Sequence, residues 1–146
     1  MKGSYILILR IPKSREHKVG KLGTISFKKG YYAYVGSAMN NVEKRVTRHC
    51  SQNKHVHWHI DYLLTISKIK HILYRESERK EECDVAEKLS EHFPFILGFG
   101  SSDCRCRSHL FFCRSKTQLL QACRAMGMTD FFIKDFDHRT VEVKWK

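Results

Sequence analysis

The run Tyr34-Val35-Gly36-Ser37-Ala38-Met39-Asn40-Asn41-Val42-Glu43-Lys44-Arg45-Val46-Thr47-Arg48-His49 sets an aromatic hydroxyl, a glycine break and a cationic helix face in immediate succession. Those residue types suit hydrolysis of a phosphodiester. The reaction needs a base for water, a cation against the charge building on the phosphoryl oxygens, and help for the leaving oxygen. Arg45, Arg48 and His49 stand at i, i+3 and i+4, so a helix would present them on one face. A cationic helix face is also a common form of plain solvated surface, and spacing alone does not separate the two.

Two other clusters carry ligand chemistry. His55, His57 and His59 with Asp61 are dense enough for a transition-metal site. In an extended chain all four fall on one side, whereas in a helix starting at His57 only His57 and Asp61 align. The alternative is that Trp58 packs while the histidines hydrogen-bond or touch phosphate. Cys104-Arg105-Cys106 with His109 supplies soft ligands for zinc, and Cys83 or Cys113 could complete a tetrahedron. The spacing is tighter than the usual C-x2-4-C pair, and buried thiols without a metal are commonplace. Asp103 could approach the same region from its loop.

The elements that must position these groups follow from apolar periodicity. Ser4 to Ile11 reads as a buried strand, and Lys21 to Lys29 as a strand and turn leading into a third strand, Tyr31 to Gly36. Gly36-Ser37-Ala38 then breaks the extended pattern. A helix follows, capped by Asn40 with Glu43 in the capping-box position and with Val42 and Val46 facing inward. His57 to Ile66 reads as a short helix and Ile69 to Tyr74 as a strand. Glu78 to Phe93 is an amphipathic helix on the Val85, Leu89, Phe93 stripe, ended by Pro94. Gly98 to Asp103 is a loop, His109 to Cys113 a strand, Lys116 to Met126 a helix, and Phe131 to Trp145 a β-leaning tail. That order predicts an α/β (α+β) sandwich with a small mixed or antiparallel central sheet flanked by helices.

Composition narrows the partner. A chain of 146 residues, 42% apolar, can close one core. Its 27 basic against 15 acidic residues give a formal charge of +12, which makes a polyanion the simplest partner. No apolar run approaches the roughly 20 residues of a spanning helix. Arg10 closes the first apolar stretch before it could serve as a signal peptide, so the expected compartment is the cytoplasm, without membrane association. The six cysteines are then expected to be buried, reduced or metal-bound.

The segment from Tyr34 to His49 resembles the core of GIY-YIG nucleases, in which a Tyr-Ile/Val-Gly strand leads to a helix bearing a catalytic arginine and a following histidine. Gly3-Ser4-Tyr5 is similar to the first half of that signature, with serine in place of isoleucine. The two halves are normally a hairpin apart, whereas residues 6–33 intervene here, so an added strand or loop near Lys21 to Lys29 is expected. More narrowly, the chain resembles a little-characterised microbial branch of the superfamily, a domain of unknown function. That likeness runs through Gly30 to Ala38, Arg45 to His49, His57 to Leu63, Glu82-Cys83 and Gly98 to Leu110.

The resemblance implies a metal-dependent endonuclease, a hydrolase of phosphodiester bonds that is structure-selective in repair or processing. Residues 1–114 would form the nuclease domain and 115–146 a C-terminal helix–strand extension packed on it. Tyr5 would activate water, Tyr34 support the phosphate region, Arg45 stabilise negative charge and His49 handle a proton. Gly36, Ser37, Arg48, His57 and His59 would contact nucleic acid, with DNA ahead of RNA, and Gly36 would let the backbone turn closely beside it. The superfamily holds one divalent ion, Mg2+ or Mn2+, through a glutamate on a later helix. Glu82 borders the inward face of the Glu78 to Phe93 helix while Glu87 falls on the wet face, so Glu82 is the expected ligand. The competing function is a nucleic-acid-binding module that keeps the fold and the basic face without turnover. A redox- or zinc-sensing module built on the cysteines is a third.

Overall fold

A computed structural model describes residues 1–51, 56 and 58–132. Its centre is β1 (Gly3–Ile11), an apolar strand buried almost throughout because neighbours cover both of its faces and both of its edges. A hairpin of β2 (Arg15–Lys18) and β3 (Thr24–Phe27) follows and forms its own two-stranded sheet. It fills the long interval between the two tyrosine segments. The Lys21 to Lys29 strand is thus shorter than expected, and its partner β2, mostly exposed and charged, has no apolar alternation to announce it.

β4 (Gly30–Ala38) returns antiparallel to β1, with Leu7 opposite Tyr34 and Tyr5 opposite Gly36. The expected break at Gly36 is corrected here, since the strand continues to Ala38. α1 (Val42–Cys50) is capped by Asn41, not Asn40: the Asn41 side chain accepts from Lys44 N at 3.0 Å, and residues 39 and 40 are spent leaving the strand. α2 (His59–Leu64) begins after Trp58, with the Asp61 carboxylate accepting from Trp58 N at 2.8 Å.

β5 (Lys68–Glu76) pairs with the other edge of β1. α3 spans Glu82–Ser90, shorter than the expected Glu78 to Phe93. Residues 78–81 carry only charge, so a longer helix would bury nothing at that end, and burial is what stabilises short helices. β6 (Leu110–Cys113), α4 (Lys116–Ala125) and β7 (Thr129–Asp130) complete the chain. The expected tail strand lies outside the described residues beyond Phe132.

The five-stranded sheet runs β6-β4-β1-β5-β7 and is antiparallel at every pairing. Strand alternation divides its core in two. Tyr5, Leu7 and Leu9 face α1 and α2 with Val42, Val46, Ile60 and Leu63. Ile6 and Ile8 face α3 and α4 with Val85, Ala86, Leu89, Leu119 and Cys123. Helices on both faces of one antiparallel sheet make the expected α/β sandwich. Among the described residues no helix is long and apolar enough to cross a membrane.

Candidate active site

The β4–β6 ladder stops at Tyr34 and Leu110, so the last residues of β4 leave the cover of β6. Around that end gather α1, the first turn of α3, the start of α2 and the loop of residues 98–109. They enclose an open cleft of about 760 Å³. Tyr5, Tyr34, Gly36, Arg45, His59 and Glu82 all line it, with Ser37, Arg48, Asp103 and His109. Lys44 and Lys80 add further positive charge at its rim.

The Tyr5 hydroxyl lies 2.6 Å from His49 Nε2 in a buried contact between β1 and α1; Tyr5 lines the cleft, whereas His49 is fully buried behind it. Gly36 makes the contact possible. A Cβ built there would stand 2.4 Å from both Cζ and the hydroxyl of Tyr5, so the ring occupies the place of the missing side chain. Gly36 is therefore required by a close approach within the sheet and not by a turn beside a substrate. Its backbone is extended and any residue could adopt it; only the space is forbidden.

Tyr34 stands edge-on to both His49 and Phe99, with ring centroids 6.2 Å away in each case. Burial pushes the Tyr5 hydroxyl well above its ordinary pKa, helped by Tyr34 and opposed by the Arg45 guanidinium. Burial also raises Tyr34, with the Glu82 carboxylate as the next cause. Both phenols are consequently protonated at neutral pH.

Arg45 is held from two sides. Its guanidinium donates to the Ser37 carbonyl at 3.4 Å and lies 4.5 Å over the Trp58 ring. Arg48 covers the same indole at 4.3 Å and forks onto Asp61, with N–O distances of 2.9 and 3.1 Å. Asp61 is fully buried, so this pair fastens α1 to α2 across the indole and commits two Arg48 N–H groups to protein. Trp58, which lines the cleft as a platform under two guanidinium groups, is a site residue that sequence reasoning missed. Its signal was the one tryptophan among histidines, three residues before an acid that could reach a cation on α1.

His59 Nδ1 accepts from Gly100 N at 2.8 Å and so ties α2 to the loop, while burial lowers the pKa of its ring and keeps it neutral. His55 and His57 lie outside the described residues; of the other two residues of that cluster, His59 bonds to Gly100 and Asp61 to Arg48 and Trp58. Glu82 opens α3, its side chain 21% exposed and its carboxylate 3.9 Å from His109 Nδ1. Glu87, further round the same helix, is exposed.

The structure brings the expected Cys104, Cys106 and His109 together with one of the two candidate completing residues. Ligand atoms of Cys83, Cys104, Cys106 and His109 lie within 4.8 Å of one another and could hold a metal ion. Of the two candidate completing residues the fold selects Cys83, because α3 starts beside the loop. Cys113 instead meets Gln118 Oε1 at 3.3 Å. Burial raises the Cys83 and Cys106 thiols and lowers His109.

Residues 4–130 match the family described as Domain of unknown function DUF123, a span that runs through α4 to β7. No curated protein and no solved structure matches the chain.

Proposed function

The chain belongs to the DUF123 family, whose description names no activity, and from the chemistry of the cleft we propose that it is a metal-dependent endonuclease of GIY-YIG type acting on nucleic acid, DNA ahead of RNA. The observation that carries this reading is the buried Tyr5–His49 contact of 2.6 Å, opening into the cleft that Arg45, Tyr34 and Glu82 also line. A fold needs no such convergence from two strands and two helices, whereas phosphodiester hydrolysis does.

The Tyr5 hydroxyl would take a proton from the attacking water while passing its own to His49 Nε2, so no charge rests on a phenol whose burial disfavours it. Arg45, pinned by Ser37 and Trp58, would meet the charge on the phosphoryl oxygens without rearranging at the moment of reaction. Tyr34 would orient the phosphate by its hydroxyl, and Lys44 and Lys80 would guide the backbone in.

The donors at Glu82 and Asp103 are hard carboxylates facing an open, wet space, which fits a magnesium or manganese ion that keeps most of its waters. Held there, the ion would supply Lewis-acid stabilisation of the phosphoryl oxygens. The soft donor set of Cys83, Cys104, Cys106 and His109 suits zinc instead.

The competing reading, a nucleic-acid-binding module without turnover, is favoured by one observation: Tyr5 is only 1% exposed. Incubation of the full chain with duplex, flap, junction and single-stranded DNA and RNA, with and without magnesium or manganese, separates the two. Metal-dependent scission that Tyr34→Phe and Arg45→Ala both lose supports the nuclease. Salt-sensitive binding with no scission on any substrate leaves the binding module.

A further inference from the structure

The soft cluster sits against the catalytic wall of the cleft, and its sequence neighbours are the cleft's carboxylates. Cys83 follows Glu82, and Cys104 follows Asp103. Tetrahedral zinc with bonds of about 2.3 Å to sulfur and about 2.0 Å to nitrogen sets S···N edges of roughly 3.6 Å. Cys104 Sγ and Cys83 Sγ lie 3.5 and 4.0 Å from His109 Nε2. The other ring nitrogen, Nδ1, is 3.2 Å from the Val35 carbonyl and donates to it, which leaves the Nε2 lone pair aimed at the sulfurs. All six cysteines are free, so no disulfide competes for the three thiols. Four protein ligands leave no open position, the arrangement of a structural site and not of a catalytic one.

We propose that Cys83, Cys104, Cys106 and His109 bind one zinc ion that positions the magnesium site: it clamps the first turn of α3 to the loop of residues 98–109 and thereby fixes Glu82 and Asp103 across the cleft. Without the clamp, the loop is tied near the cleft by the Gly100–His59 bond and by backbone bonds such as His109 N to Phe99 O, at 2.8 Å each. Those bonds hold the loop's ends; the turn that carries Asp103 is closed on itself by Cys104 N to Ser101 O at 3.4 Å, and none of these bonds ties it to α3. Val35, whose carbonyl orients His109, adjoins both Tyr34 and Gly36, so the clamp is also registered to the tyrosine strand. The positioning part of this inference rests on the nuclease reading; the zinc site itself does not.

The test uses the full chain. Elemental analysis of purified protein should give one zinc per chain, and exchange into cobalt(II) should give the sulfur-to-metal charge-transfer absorption and intense visible bands of a tetrahedral thiolate site. Cys104→Ser and Cys106→Ser should each lose the zinc, while Cys113→Ser, outside the cluster, should keep it. For the positioning role, Cys106→Ser should raise the magnesium concentration for half-maximal cleavage by about 10- to 100-fold, the usual effect of disturbing a group behind a metal ligand. Iron in place of zinc, or no metal together with no cobalt bands, overturns the site, and the wild-type chain alone decides that even if the serine variants fail to fold. Stoichiometric zinc in the wild type, with an unchanged magnesium requirement in a folded Cys106→Ser that has lost it, overturns the positioning. A zinc-loaded wild-type chain that cuts nothing sinks the nuclease reading and leaves the zinc site standing.

Discussion

Gly36→Ala adds one carbon to the sheet and should dismantle the centre of the cleft. The new Cβ would lie 2.4 Å from the Cζ and hydroxyl oxygen of Tyr5 and 2.9 Å from its Cε1. Ordinary carbon contacts are about 3.5–4.0 Å, so the ring must retreat by about 1 Å. Tyr5 is 1% exposed and its hydroxyl is already 2.6 Å from His49, so a displaced ring cannot keep that hydrogen bond unchanged. Overpacking of this kind costs about 1–3 kcal/mol, and stretching the hydrogen bond past about 3.2 Å leaves two buried polar atoms poorly paired, about 1–3 kcal/mol more. The total, on the order of 2–6 kcal/mol, is a large part of the roughly 5–15 kcal/mol that holds a domain together. Urea unfolding of the wild type, Gly36→Ala, Tyr5→Leu and the double variant would measure it. Leucine removes all three clashing atoms, so the double variant should be more stable than the two single losses predict, by at least about 1 kcal/mol of coupling. If Gly36→Ala loses under about 0.5 kcal/mol, or its loss simply adds to that of Tyr5→Leu, the packing argument is wrong.

The neighbouring arginines should behave oppositely. Arg45→Ala should cost about 100- to 1,000-fold in cleavage rate with little change in melting, because it removes a preorganised cation from the rim; near wild-type cutting would remove it from the mechanism. Arg48→Ala leaves Asp61 buried without its forked partner and should cost about 3–5 kcal/mol of stability, and a variant that unfolds with the wild type would show that the pair carries no such weight. Glu82→Gln should abolish the magnesium stimulation of cutting while sparing nucleic-acid affinity, whereas Glu87→Gln, exposed on α3, should change neither; a manganese titration of both decides between them. Tyr5, Tyr34 and Tyr32 all have pKa values raised by burial, Tyr32 to about 12. Because the folded chain holds these protons more tightly, their contribution is complete below about pH 10 and is lost as pH rises beyond it. Tyr5→Phe should flatten that alkaline decline by one proton, and an unaltered slope would mean that Tyr5 ionises without unfolding the chain.

What could be read from sequence tracks what local patterns encode. The apolar run of β1, the Val42/Val46 face and the Val85/Leu89 stripe report their own burial, and the helical period separates Glu82 from Glu87 without knowledge of any neighbour. The misreadings share a cause, which is tertiary. Gly36 reads locally as a break because glycine ends strands; the reason for it, Tyr5, lies on another strand. The cap moved from Asn40 to Asn41 because β4 runs further than its own sequence signals. Cys83 could be named only as one of two completing residues, since selecting it over Cys113 requires knowing that α3 begins beside the loop. Trp58 reads as a packing residue, spaced by fours with Tyr62 and Ile66; its arginine partners sit on α1, which local spacing does not reveal.

The β2–β3 hairpin bears on how relatives of this chain are to be found. Tyr5 meets Gly36 because β1 and β4 are in register, and a slip of one residue would exchange the side chains that each strand sends to the two cores. What connects those strands hangs off the main sheet as a small sheet of its own. The entropy of closing such a connection grows only with the logarithm of its length, about 0.6 kcal/mol for each doubling. Insertions and deletions at the exposed positions of this connection, away from the buried Val19 and Phe27, are therefore close to neutral for the geometry that matters. A search that fixes the number of residues between the two tyrosine segments would discard chains whose clefts are the same as this one. Pairing an apolar strand that contains Tyr with a later one that carries Tyr and Gly two apart would retain them.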